Sequence, residues 1–251
     1  MSISAPGHAA AAETPAPLPI RHSPGGAATI TPTDASEVLA LRDATIRGPR
    51  GTVFGPLTSV SRRPVTAVLG PRGSGRTSLL LAATGRMRLS AGRVTVLGED
   101  RPAAIRRRSG IAGFAQIDAL DPDVSVGAAL RERLAWALPW YRRTPRMSDA
   151  LTSELLAQAF GEYAHPQRRT LVGELSPAEE LLLRVALALV EDPSLLAVDD
   201  LDALREPGER AILAERLRAL ADDGIRVLTA TSDPGDLSLL DGGGGPGLIE
   251  L

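Results

Sequence analysis

The sequence predicts an α/β fold built on a parallel sheet with helices on both faces. Three observations predict it. Short apolar, β-rich runs alternate with runs of helical spacing from about residue 36 onward. A glycine-rich turn, Gly70 to Thr77, joins one apolar run, Val65-Thr-Ala-Val-Leu69, to a helical stretch. A second apolar run, Leu195-Leu-Ala-Val198, ends in two carboxylates, Asp199 and Asp200.

The elements follow in chain order. Residues 1–33 are rich in Ala, Pro, Gly, Ser and Thr without a period, and are expected to form a disordered tail. Val38 to Arg42 and Thr52 to Ser61 read as strands around the Gly48-Pro-Arg-Gly turn. After the glycine turn, Ser78 to Met87 reads as a helix, Gly92 to Leu97 as a strand, the basic run at Arg106 to Arg108 as a solvated turn, and Ile111 to Ile117 as a further strand. Residues from about 125 to 174 read as helical and hold five of the seven aromatics: Trp136, Trp140, Tyr141, Phe160 and Tyr163. Ser176 opens a helix to about Val190. Glu209 to Asp222 is helical by apolar spacing, Val227 to Thr231 is a buried strand, and Gly242 to Gly247 is a turn before a short final run.

Composition narrows the function classes. The chain has 251 residues, 43 % apolar and 23 % charged, enough for one α/β domain with a substantial core or for two small domains. A net charge of -2 gives no reason to expect a nucleic-acid partner or an anionic membrane. Without cysteine there are no disulfides and no thiolate metal sites. All 28 basic residues are arginine, and asparagine is also absent, as in a strongly GC-biased genome. No stretch approaches the ~18 uncharged apolar residues that span a bilayer, and no secretion signal opens the chain, so direct membrane insertion is not expected.

Gly70-x-x-x-x-Gly75-Arg76-Thr77 matches the phosphate-loop pattern except that Arg replaces Lys. Backbone N–H groups can wrap phosphates only where side chains do not obstruct, and the following helix aims its positive end at the same anion. A plain strand-to-helix turn is the alternative. An apolar strand ending in a carboxylate, as at Asp199, is the usual partner of such a loop because Mg²⁺ needs an oxygen ligand there, although paired acids after a strand also serve as a helix cap.

Leu175-Ser-Pro-Ala-Glu179 stands before a helix, and Asp192-Pro193 leads into the strand ending at Asp199. This resembles the signature helix of the ATP-binding cassette (ABC) ATPases, usually LSGGQ. Phe114-Ala-Gln116 followed by Leu120-Asp-Pro resembles the family's Q-loop, and Thr231-Ser232-Asp233 resembles its Thr-His-Asp switch. The resemblance covers about residues 37 to 251. It implies a P-loop NTPase (RecA-like) parallel-sheet core with an antiparallel β edge, in a cassette domain of residues 34–251 with a helical subdomain inserted at about 118–190.

The resemblance further implies ATP and Mg²⁺ as cofactors. Gly70, Pro71, Arg72, Gly73, Ser74, Gly75, Arg76, Thr77 and Ser78 would surround the phosphates. Thr77, Gln116 and Asp199 would hold the metal, and Asp200, Gln116 and Ser232 would occupy the catalytic positions. Ser176 would face the nucleotide of a partner cassette. Implied partners are a second cassette, identical or different, and a separately encoded membrane permease, with the chain cytoplasmic and peripheral at the inner face of the plasma membrane.

Several positions depart from the family pattern. No aromatic stands in Thr45–Arg50 to stack on adenine; Arg47 is the substitute on offer, and Phe54 is expected to face the core. Arg76 keeps the charge of the usual Lys but not its compact shape. Pro177 has no N–H to offer a phosphate, while Ser176 and Glu179 have the spacing of a capping box. Asp200 is one methylene shorter than the usual Glu, and Ser232 replaces the switch His. The expectation is nucleotide binding with weak hydrolysis, or a non-hydrolysing regulatory cassette. Trp136, Trp140 and Tyr141 are read as core of the helical subdomain, the alternative being a groove that receives the permease.

Overall fold

The computed structural model describes residues 37–199 and 201–251. The tail expected over residues 1–33, and Asp200, lie outside the described residues. In chain order the strands are β1 (Leu39–Gly48), β2 (Gly51–Ser61), β3 (Val65–Leu69), β4 (Ala91–Val96), β5 (Ser109–Ala112), β6 (Leu195–Val198), β7 (Arg226–Thr231) and β8 (Gly247–Glu250). The helices are α1 (Arg76–Ala83), α2 (Pro102–Arg107), α3 (Val126–Ala137), α4 (Asp149–Phe160), α5 (Pro177–Leu189), α6 (Pro207–Asp222) and α7 (Asp236–Leu239).

The first two strands form a hairpin paired from Leu39↔Ser61 to Gly48↔Gly51, and with β4 they make a three-stranded antiparallel sheet in the order β2-β1-β4. A separate five-stranded sheet has the order β5-β6-β7-β3-β8, and every neighbouring pair in it is parallel. Strand β6 shows why its sequence is apolar without alternation. Leu195 and Ala197 join the cluster that holds Leu79, Leu80 and Phe114, while Leu196 and Val198 join the cluster of α5 and α6 on the other face. Both faces are covered, so every side chain is buried. Phe54 lies in the first cluster, facing the core as expected.

Helix α1 is tied down at its far end. The Arg86 guanidinium donates to the Thr84 carbonyl at 3.1 Å and to the Ser109 carbonyl at 2.9 Å, joining the last turn of α1 to the first residue of β5. Burial lowers the Arg86 pKa from its ordinary value, with Glu191 opposing.

The structure corrects three local expectations. The strand read over Ile111–Ile117 ends at Ala112, because Gly113 adopts φ 83° and Phe114 begins a turn whose carbonyl accepts from Ile117 and Asp118. The basic run at Arg106–Arg108 enters α2 instead of forming a turn, started by Pro102 at its first position. The stretch 125–174 is only partly helical: α3 and α4 begin at the capping hydroxyls of Ser125 and Ser148, and a 3-10 turn covers Val172–Glu174.

The aromatics are a further correction. Trp136, Trp140 and Tyr141 are 70 %, 96 % and 70 % exposed, so they are not subdomain core. That core is Leu130, Leu156, Phe160 and Leu182. Trp136 lies two residues past the buried Leu134, about 200° around the helix, and the helix ends before Trp140 and Tyr141.

Candidate functional site

Because β5, β6, β7 and β3 are parallel, their following residues leave one edge of the sheet. Gly113–Asp118 follows β5, Asp199 follows β6, Ser232 follows β7, and Gly70 follows β3. Only β7 separates β3 from β6, so those two strand ends lie about 10 Å apart. The Gly70 N–H donates to the Thr231 carbonyl at 3.2 Å, and the buried Asp199 donates its N–H to the Ala112 carbonyl at 2.9 Å. The phosphate loop, Asp199 and the switch segment thus emerge side by side, and the loop carrying Gln116 emerges beyond Asp199.

Gly75 ends the loop and caps α1 in the left-handed region, at φ 97° and ψ 13°. A Cβ there would sit 2.9 Å from Val53 Cγ1 and 3.1 Å from Phe54 Cδ1, so the β1–β2 hairpin closes over the loop only with glycine in place. No side chain caps the start of α1, which leaves the positive helix end to the loop. Ser74 Oγ is buried and, among the described residues, has no hydrogen-bond partner. Pro71, Arg72, Gly73 and Thr77 are exposed, and Ser78 is half-buried. An orphan hydroxyl, a glycine cradle and an uncapped helix start are features that an anion completes, so these residues fit the phosphates of the Mg-nucleotide that the fold family implies.

Arg76 does something the sequence did not reveal. Its side chain is 10 % exposed, and its Nη1 donates to Asp202 Oδ2 at 2.9 Å. Asp202, in a 3-10 turn at Leu201–Ala203, accepts the Ser232 backbone N–H on its other oxygen at 2.8 Å. Burial alone would raise its pKa, but hydrogen bonds from Ser232 and Arg76 and the arginine charge outweigh this and hold it below the ordinary carboxylate value. The switch is braced again from α6, where Arg210 Nη1 donates to Asp233 at 3.0 Å and to Asp236 at 3.3 Å. Asp236 also accepts from Thr231 Oγ1 at 2.6 Å.

The Q-loop-like segment is closed by Asp118, which accepts the Gly113 N–H at 2.8 Å. A Cβ on Gly113 would meet the Asp199 carbonyl at 2.4 Å, so the two strand ends touch through this glycine. Burial raises the Asp118 pKa above its ordinary value, while Arg184 and backbone N–H groups pull it back. Gln116 is exposed on this loop. Beside this segment, a cavity of about 520 Å³ is lined by Ile117, Leu120, Val124, Trp136 and Leu187, with Arg86, Arg133 and Arg184 among its charged groups.

Ser176 is engaged locally. It caps α5, accepting from the Glu179 N–H at 3.2 Å, while its own N–H donates to Glu179 Oε2 at 2.8 Å, with Pro177 at the first helical position. The main packing of α5 is against α3, α4, α6 and β5, so Ser176 belongs to the helical layer and not to the loop at residues 70–77. Asp200, expected at a catalytic position, lies outside the described residues.

Strand, glycine loop and uncapped helix, set beside a carboxylate at the end of the next strand but one, define a P-loop nucleotide-binding domain. The sequence model of the family described as ABC transporter matches residues 57–203, more than half of the chain, and the chain belongs to that family. It is 32 % identical over 173 residues to the Nod factor export ATP-binding protein I of Bradyrhizobium sp. (strain SNU001), covering 69 % of this chain and 54 % of the relative. It is 33 % identical over 167 residues to the protein of the same description from Rhizobium etli, covering 65 % and 50 %. The chain therefore spans about half the length of the curated relatives it matches. Solved folds agree: the ADP conformation of an ATP-binding cassette of an ABC transporter superposes with a TM-score of 0.65 at 18 % identity, covering 82 % of this chain and 85 % of the other. The cbiO1 structure from Clostridium perfringens, part of the transporter complex cbiONQ, gives 0.63 at 20 % identity, covering 79 % of each. Members of this family bind nucleotide, normally with Mg²⁺, and transporter cassettes usually dimerise and pair with a membrane permease. No helix among the described residues is long and apolar enough to cross a membrane.

Sequence reasoning missed Asp202, Arg210 and Asp236. Asp202 had a signal in the run Asp199-Asp200-Leu-Asp202, where a third acid follows a strand that needs only one for a metal.

Proposed function

We propose that this chain is the ATP-binding subunit of a membrane transporter, that it docks on a separately encoded permease, and that it hydrolyses ATP slowly. The observation that carries the binding part is the orphan Ser74 hydroxyl beneath an uncapped helix start. Backbone N–H groups of Arg72, Gly73 and residues 75–78 would hold the phosphates, and Thr77, Gln116 and Asp199 would hold Mg²⁺. The ion would neutralise phosphate charge there. Three features support slow turnover. The Ser176 hydroxyl oxygen is tied to its own helix by the Glu179 N–H. Pro177 offers no N–H to a partner's nucleotide, and Glu179 and Glu180 place negative charge at that helix start. Ser232 has no imidazole to donate, and Asp200 is a methylene short, a change of about 1 Å that costs on the order of 100-fold where water must be positioned.

The cavity that begins at Ile117 is the docking site in this reading. Its apolar residues suit a helical segment of the permease, and its mixed charges suit polar flanks. The export ATP-binding proteins among its relatives favour an export assembly. The working unit is a cassette dimer, peripheral to the cytoplasmic face of the membrane. A non-hydrolysing regulatory cassette is the second reading, favoured by the Arg76–Asp202 pair. Co-purification with membrane proteins encoded beside it, followed by phosphate-release measurements on the assembly, tests the proposal. Turnover at ~1 s⁻¹ or faster, in the ordinary enzymatic range, would overturn slow hydrolysis, and failure to recover any permease would leave only the regulatory reading.

A further inference from the structure

We propose that Asp202 is a built-in counter-anion of the phosphate loop: it holds the Arg76 guanidinium against the switch segment, so that phosphates must compete with a carboxylate of the same chain for that arginine. This rests on the reading that residues 70–78 receive a nucleotide's phosphates.

The argument begins with geometry. Arg76 and Asp202 are 126 residues apart in sequence, yet their side chains meet at 2.9 Å with 10 % and 8 % exposure. A pair so enclosed is weakly screened, and removing one partner leaves an unpaired charge in poor solvent. The second oxygen of Asp202 is equally occupied, by the N–H of Ser232. One carboxylate therefore bridges the start of α1 and the segment after β7. Its hydrogen bonds keep it ionised at neutral pH.

Two consequences follow. The cation at the position that should draw in a polyanion is already neutralised, so the loop relies on backbone N–H groups and the helix end for attraction. A guanidinium that swings to a phosphate must leave Asp202, and Asp202 then keeps Ser232 as its hydrogen-bond partner among the described residues. Phosphate capture by Arg76 and the setting of the switch thus draw on the same carboxylate. Asp202 is a positioning residue: it acts through Arg76 and Ser232 and bears no role in bond making.

Equilibrium binding of Mg-ATP by calorimetry tests this with the full chain, folding being checked by thermal melts. Asp202→Asn keeps the shape and an acceptor for the Ser232 N–H but removes the charge. It is expected to bind Mg-ATP about tenfold tighter, since the arginine is released toward the phosphates. A merely structural role predicts equal or weaker binding, and that result overturns the proposal. The gain must pass through the arginine: in an Arg76→Gln background the same Asp202→Asn change should alter affinity by no more than about twofold. A gain of about tenfold in that background as well would mean that Asp202 acts on the phosphates without Arg76, and would also overturn the proposal, whether or not the Asp202→Asn single variant folds. If the parent and both variants bind no Mg-ATP, the nucleotide-binding reading itself fails, and this inference falls with it.

Discussion

Ser176 and Glu179 pair reciprocally at the start of α5: the serine hydroxyl oxygen accepts the glutamate's N–H at 3.2 Å, and the glutamate carboxylate accepts the serine's N–H at 2.8 Å. A residue whose counterpart in the family faces a partner's nucleotide is here a helix cap. Ser176→Ala is expected to lower folding stability by about 1 kcal/mol. Urea unfolding followed by circular dichroism measures it, and an unchanged midpoint would show that the cap contributes nothing.

Gly75→Ala should be costlier. The residue sits at φ 97°, and the added Cβ would press on Val53 and Phe54 of the hairpin. Strain and steric conflict together are expected to cost roughly 1–3 kcal/mol and to weaken Mg-ATP binding. The same unfolding assay and calorimetry check both effects.

Asp118 makes stability depend on pH in the opposite direction to most carboxylates. Burial raises its pKa in the folded chain above the ordinary 3.8. The folded state then binds more protons than the unfolded state between these two values, so this group's contribution to stability falls as pH rises through that window. Asp202, held below the same ordinary value, does the reverse, and its contribution is lost as the solution is made more acidic. Asp118→Asn should remove the downward slope, and the difference between parent and variant across a pH series of urea midpoints isolates it.

Both tryptophans of the chain, Trp136 and Trp140, are largely exposed. Their fluorescence is therefore expected to change little on unfolding and to be quenched readily by acrylamide in the folded protein. Trp140→Ala should shift stability by no more than roughly 0.5 kcal/mol. Permease binding should protect Trp136, which lines the cavity, and unchanged quenching in the complex would remove that cavity as the docking site.

The parallel sheet was legible in the sequence because buried strands such as Leu195–Val198 are apolar on both faces and stand out against charged flanks. The glycine loop was legible because its spacing is local, and the Ser176–Glu179 cap for the same reason. Relationships across the sheet edge were not. Arg76 and Asp202 meet only because β3 and β6 lie two places apart, and neither residue's surroundings in sequence announce the other. The apolar run continues to Ile117, but the left-handed backbone of Gly113 ends the strand pairing before it, and composition alone does not announce that turn. The aromatic cluster is apolar in composition but not in direction: Trp136 faces away from the buried Leu130 and Leu134, and the helix ends before Pro139 and Trp140.

Arg86 has a mechanical consequence. It anchors the tail of α1 to β5 and also borders the cavity proposed to receive the permease, while the head of α1 follows the phosphate loop. The helix between them has eight residues, a rod about 12 Å long. Arg86 holds the tail of this short rod and Asp202 holds Arg76 at its head, so the rim of the cavity and the phosphate loop are joined by one stiff element with little slack.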